Sequence, residues 1–290
     1  MVIESIIKPR NAINNPHKVI LYTFSVSILA IILSYNVFYD FSSIASLAFI
    51  VIGLLPFINN ILKIEEEIDM TLENENEMIK HHRKVITLFL YMFIAITMAY
   101  LIFYLIMPTN VVETLFNYQI QTINQVNSPS GSETIVANVI SNNPFFIILL
   151  NNLRVMLFCI VFSFLYSSGA IFFLSWTASL MAAAIGSFIR SGVSSLLVQF
   201  ESLSGIHYVQ VLSIGVLRYF IHGIFEITAY LFAALAGGII SYAVINHHYQ
   251  SKKFNEILLD SFDLIILSVI FLILGSLIEV YISPLIGGFI

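Results

Sequence analysis

With 290 residues, 59% of them hydrophobic and only 10% charged, the chain lies far from soluble domains, in which about a quarter of residues are charged. A net charge of −5 without a dense Lys/Arg patch excludes nucleic acid as a partner, because neutralising phosphates needs a basic footprint. The single cysteine, Cys159, sits in an apolar run and excludes an intrachain disulfide or a cysteine-based metal site.

The charges are clustered, and the stretches between them approach the ~20 apolar residues that carry a helix across a bilayer. The first such run, Val19 to Phe38, is longer than a signal-peptide core. Its exit, Ser34-Tyr35-Asn36-Val37-Phe38, has no small-residue cleavage site, so it reads as an uncleaved span. Ile44 to Leu62, with Pro56 as an expected kink, is the second span, and Val85 to Met107 the third. The charge-free stretch Val155 to Ile189 would extend roughly 52 Å as one helix, too long for a core of ~30 Å. It therefore folds back, with Ser167-Ser168-Gly169 as the natural reversal, giving spans at Phe145–Tyr166 and Ile171–Ile189. The segment Gly205 to Ile221 is apolar but short and carries His207 and Arg218, so it is read as a re-entrant or interfacial helix. Ile227 to Asn246 and Leu264 to Ile282 complete the set. The expected fold is all-α: a polytopic transmembrane bundle of about seven spans with one re-entrant or interfacial helix, in a single integral membrane domain over 1–290.

Lys and Arg residues place the ends. Lys8, Arg10 and Lys18 precede the first span, Lys63, Lys80, Arg83 and Lys84 separate the second from the third, and Lys252 and Lys253 separate the last two. Loop 108–143 has neither residue type. An N-terminus in the cytoplasm and a C-terminus outside follow, for a multi-pass protein of the cell membrane. The cytoplasmic loop 63–84 is acidic through Glu65, Glu66, Glu67, Asp69, Glu73, Glu75 and Glu77, and is read as a solvated connection or a dock for a basic partner. Outside, Val112, Leu115, Phe116, Ile120, Ile123 and Val126 recur at helical steps and predict an amphipathic helix lying on the outer surface, followed by a flexible stretch at Asn127 to Ser132.

Two ladders of small residues, Ala229, Ala233, Gly237, Ser241 and Ala178, Ala182, Gly186, predict close helix packing. Four ionisable residues fall inside spans, where each costs on the order of 2.5–3.5 kcal/mol: Arg154, His222, Glu226 and Glu279. Counting residues from the span ends puts Arg154 and the two glutamates in the outer half of the membrane. The expectation is a buried polar cluster in which Arg154 pairs with Glu226 or Glu279, one carboxyl being shared or protonated, while Asn151, Asn152 and His222 complete the hydrogen bonds. Gly223 leaves the backbone beside His222 and Glu226 accessible and counts with the ladder residues as a helix-packing position. Such a cluster is either a structural clasp or an ion, proton or substrate site.

No His-Glu-x-x-His, Gly-x-Ser-x-Gly or phosphate-binding glycine loop occurs, so an enzyme is not expected. His222 and Glu226 would hold a metal only with further ligands, which Glu279 alone does not convincingly supply; neither His81-His82 nor His247-His248 is a ligand pair. No cofactor or metal is expected.

His222-Gly223-Ile224-Phe225-Glu226-Ile227, with Ala229 and Ala236-Gly237-Gly238, resembles the His-Gly-x-x-Glu region of the stage II sporulation protein M family of integral membrane proteins. Asn151-Asn152 and Ile278-Glu279-Val280 are similar to the family's other motifs and stand in its order. Ser5-Ile6-Ile7-Lys8-Pro9-Arg10, the paired early spans and the acidic loop resemble archaeal members. Where the family places an asparagine in a Trp-Asn-Ala-Ser context, this chain has Trp176-Thr177-Ala178-Ser179 and loses the amide donor. The resemblance implies importance for Asn151, Asn152, His222, Gly223, Glu226 and Glu279. It also implies a non-enzymatic scaffold with membrane-protein partners or a homo-oligomer, acting in envelope or membrane remodelling. The alternative is an ion- or proton-linked transporter that uses the polar cluster.

Overall fold

The computed structural model describes residues 17–69, 75–127, 143–165, 170–199, 204–245 and 254–287. Among them the chain forms helices α1 (His17–Val37), α2 (Ser42–Asp69), α3 (Glu75–Ile106), α4 (Thr109–Leu115) and α5 (Asn117–Asn127). A 3-10 turn at Tyr39–Phe41 joins α1 to α2. The second half consists of α6 (Pro144–Leu165), α7 (Ala170–Gln199), α8 (Gly205–Ile245), α9 (Phe254–Tyr281) and the short α10 (Ser283–Gly287). Seven helical stretches are long and apolar enough to cross a membrane.

Helix is the only economical backbone for these runs, because in hydrocarbon every N–H and C=O needs an internal partner. Several hydroxyls within them find internal partners too: Ser27, Thr97, Thr177 and Thr228 bond back to the carbonyl four residues earlier. Large side chains of α2 and α3, both of which pack on α1, fill this part of the core: Leu47, Ile50, Leu54, Leu88, Met92 and Ile96 are fully buried. The outer faces are equally apolar: Leu21 is 69% exposed, Ile52 66% and Leu259 65%. A water-soluble bundle would carry charge at such positions, whereas lipid accepts them.

The centre of the bundle is α8. Of its apolar stretch 67% is buried, against 17% for that of α6 and 22% for that of α9. It packs mainly on α9 and α6 and also on α7. The small residues set these approaches. A Cβ on Gly237 would lie 2.7 Å from the backbone oxygen of Ile160 on α6, and Ala229 and Ala233 are fully buried. Ser241 is buried as well. On α7, Ala178 and Ala182 are fully buried and Gly186 lies directly against the Tyr104 ring of α3.

The structure departs from the sequence expectation at two places. Residues 205–221 are not a separate re-entrant or interfacial helix; they run without a break into the rest of α8, a helix of 41 residues. The short apolar stretch is only the first half of one rod about 61 Å long. The segment after α3 is helical and amphipathic as expected, but it forms two short helices, α4 and α5, docked on the bundle end: Val112, Leu115 and the intervening Phe116 are buried while Glu113, Asn117 and Gln121 are exposed. Phe116 enters the bundle end as a wedge, with edge-on contacts to Tyr100 and Tyr104 at 5.7 and 4.9 Å. Gln119, fully buried, accepts from Ser43 (2.6 Å) and donates to Ser179 (3.0 Å), tying α5 to α2 and α7. α2 passes through Pro56 as one continuous helix. The Ser167-Ser168-Gly169 reversal, the stretch after Asn127 and His247-His248 lie outside the described residues.

Candidate functional site: a polar constellation between α8 and α9

α8 places His222 and Glu226 one helical turn apart, so both side chains project from one face. That face lies against α9, which contributes Glu279. Each of the three offers a ligating atom, and these atoms all fall within 4.8 Å of one another. A carboxylate oxygen of Glu226 and one of Glu279 thus lie no more than 4.8 Å apart. Two bare carboxylates this close repel, and a shared proton or a bound cation relieves the repulsion.

The surrounding groups fix the orientation of Glu226. Asn152 on α6 donates from Nδ2 to Glu226 Oε1 at 2.6 Å, and Tyr230 donates its hydroxyl to Asn152 Oδ1 at 3.0 Å. Tyr230 stands one turn beyond Glu226 on the same face of α8, so a Tyr–Asn–Glu chain crosses from α8 to α6 and back. Gly275 on α9 makes room: a Cβ there would lie 2.9 Å from Glu226 Cγ. At the other edge His222 Nδ1 meets Ser283 Oγ at 2.9 Å. His222, Glu226 and Glu279 are each partly accessible.

The predicted cluster is thus assembled with different membership. His222, Glu226, Glu279 and Asn152 come together, whereas Arg154 and Asn151 are exposed. The Arg154 pairing fails for a geometric reason. At 100° per residue, a position two beyond Asn152 lies about 200° around α6 and faces away when Asn152 faces α8. Gly223 is buried against Met181 Cε of α7, which fits its expected place among the helix-packing residues and leaves its backbone covered and not accessible. Glu279, set aside as an unconvincing third ligand, is brought within ligating reach.

Tyr230, Gly275 and Ser283 were not singled out from sequence. The signal for two of them was present: Tyr230 follows Glu226 by four residues and Gly275 precedes Glu279 by four, placing each on the face of its acidic neighbour. Arg190 was also missed. It donates to the Met107 carbonyl at the C-terminus of α3 and lies 5.4 Å over the Tyr104 ring.

Fold and site together define a polytopic helical membrane protein with an ionisable constellation held between its central helix and the last long one. The family model described as Stage II sporulation protein M matches residues 85–284. The chain belongs to that family. The match spans α3 to the start of α10 and so contains every residue of the constellation, while α1 and α2 precede it. No curated protein and no solved structure gives a significant match.

Proposed function

We propose that this protein is a non-enzymatic scaffold of a membrane complex, acting in envelope or membrane remodelling. The observation that carries this reading is the length of α8. Its 41 residues extend about 61 Å, roughly twice the hydrocarbon core of ~30 Å. With α7, of 30 residues, it makes a helical hairpin that reaches well past the lipid on one side. A satellite cluster of Ile185, Ile189 and Val211 holds the two arms together. Beyond it, Val198, Ile206 and Val209 are 89%, 77% and 62% exposed, apolar surface suited to a protein partner. Beside the hairpin, α4 and α5 wall an open groove of about 900 Å³ lined by Tyr104, Glu113, Arg190 and Tyr208 among others. The arrangement of Lys and Arg puts this end outside the cytoplasm, with the N-terminus inside.

Affinity purification of the full chain from membranes, with chemical cross-linking, tests the proposal. A stoichiometric membrane-protein partner or homo-oligomer that is lost with Val198→Glu and Ile206→Glu supports it; a monomer without partners contradicts it. A second reading, an ion- or proton-linked transporter, is favoured by one observation, the ionisable triad inside the span region. In that case Glu226→Gln abolishes flux in proteoliposomes and leaves assembly intact.

A further inference from the structure

We propose that His222, Glu226 and Glu279 form a binding site for a first-row divalent cation, a metal clasp that joins α8 to α9. Three observations lead there. The first is the ligand set: one imidazole and two carboxylates suit Zn²⁺ or Mn²⁺, which accept mixed N/O ligands. Their ligating atoms already lie within 4.8 Å of one another. Bonds of ~2.0–2.2 Å hold ligand atoms ~3.3–3.5 Å apart, so closure needs a contraction on the order of 1 Å.

The second is the charge inventory. Two carboxylates and a neutral imidazole carry −2, which a divalent ion balances, and the arginine expected to do so from α6, Arg154, is exposed. Arg218, the basic residue one turn before His222, is engaged over the rings of Phe188 (5.3 Å) and Tyr219 (5.9 Å).

The third is a supporting shell that a bare ion pair would not need. Asn152 and Tyr230 orient the Glu226 carboxylate, Ser283 holds one nitrogen of the His222 ring, and Gly275 leaves the space in which Glu226 sits. Groups of this kind set ligand geometry at metal centres. Ser276, on the same face of α9 as Gly275 and Glu279, is fully buried and its hydroxyl has no partner among the described residues.

The test uses the full chain in detergent, stripped with chelator, reloaded with ZnCl₂ or MnCl₂ and desalted. Elemental analysis is expected to return about one metal per chain, with His222→Gln and Glu279→Gln each weakening binding about tenfold or more. Glu113→Gln, in the groove at the bundle end, leaves it unchanged. X-ray absorption on the zinc-loaded wild type reads the site independently of any variant's folding, and a first shell of one nitrogen and at least two oxygens is expected. Absence of retained metal in the wild type, equal retention in the His222→Gln/Glu279→Gln double variant, or a sulfur-containing shell would overturn the proposal. Partner capture by the hairpin is a separate readout, so the failure of one does not carry the other.

Discussion

Gly275 on α9 and Glu226 on α8 are matched across the helix interface: a methyl group on Gly275 would come within 2.9 Å of Glu226 Cγ and 3.4 Å of Phe225 Cβ. The glycine here is a spacing device that lets a carboxylate enter between two helices. Gly275→Ala is therefore expected to push the helices apart or turn Glu226 away from Asn152, costing about 1–3 kcal/mol as overpacking does. A lowered melting temperature in detergent, together with weakened metal retention, is the expected result.

The Asn152 amide bridges an acid and a phenol, so its loss strands both. Asn152→Ala should destabilise by about 1–3 kcal/mol, the desolvation cost of buried groups left without partners. Arg154→Ala and Asn151→Ala, on exposed positions of the same helix, should stay within about 0.5 kcal/mol. Equilibrium unfolding of the three variants in one detergent separates these outcomes.

Gly237 meets backbone where other glycines meet side chains. A Cβ there falls 2.7 Å from the Ile160 carbonyl oxygen, which cannot rotate out of the way, whereas nothing lies within 4 Å of one at Gly205. Gly237→Ala is expected to cost about 1–3 kcal/mol and Gly205→Ala no more than about 0.5 kcal/mol. Thermal melting followed by size-exclusion chromatography reads both.

Gln119 is the link between the α4–α5 segment and the bundle. Gln119→Leu keeps its bulk but leaves the Ser43 and Ser179 hydroxyls without their amide partner, and should cost about 1–3 kcal/mol. Limited proteolysis should then cut within α5 first, with the spans protected. Equal protection of α5 in wild type and variant would show that Phe116 alone docks the segment.

Much of this architecture is legible in the sequence, because lipid imposes a length and a composition on every crossing. The fold-back within residues 155–189 follows from charge-free length alone, and two helices flank it in the structure. The continuity of α8 was not legible. His207 and Arg218 suggest an interruption, but polar residues do not break a helix that leaves the hydrocarbon, and hydropathy says nothing about a rod continuing into water. At the site, spacing of four residues assigned His222 and Glu226 to one face. Depth arithmetic placed Arg154 at the right level but carries no azimuth, and the two-residue step from Asn152 decided against it. Gln119 was hidden for a related reason: a polar residue on the apolar face of a short helix reads as noise until Ser43 and Ser179 are seen opposite.

The central claim is that Glu226 meets Glu279, with Arg154 turned away. Paired cysteines in a Cys159→Ser background test it directly, by treating membranes with the shortest bifunctional methanethiosulfonate reagent and reading intrachain linkage after proteolysis between α8 and α9. Efficient linkage for Glu226→Cys with Glu279→Cys, and none for Arg154→Cys with Glu279→Cys, is the predicted result; the reverse pattern would contradict the account.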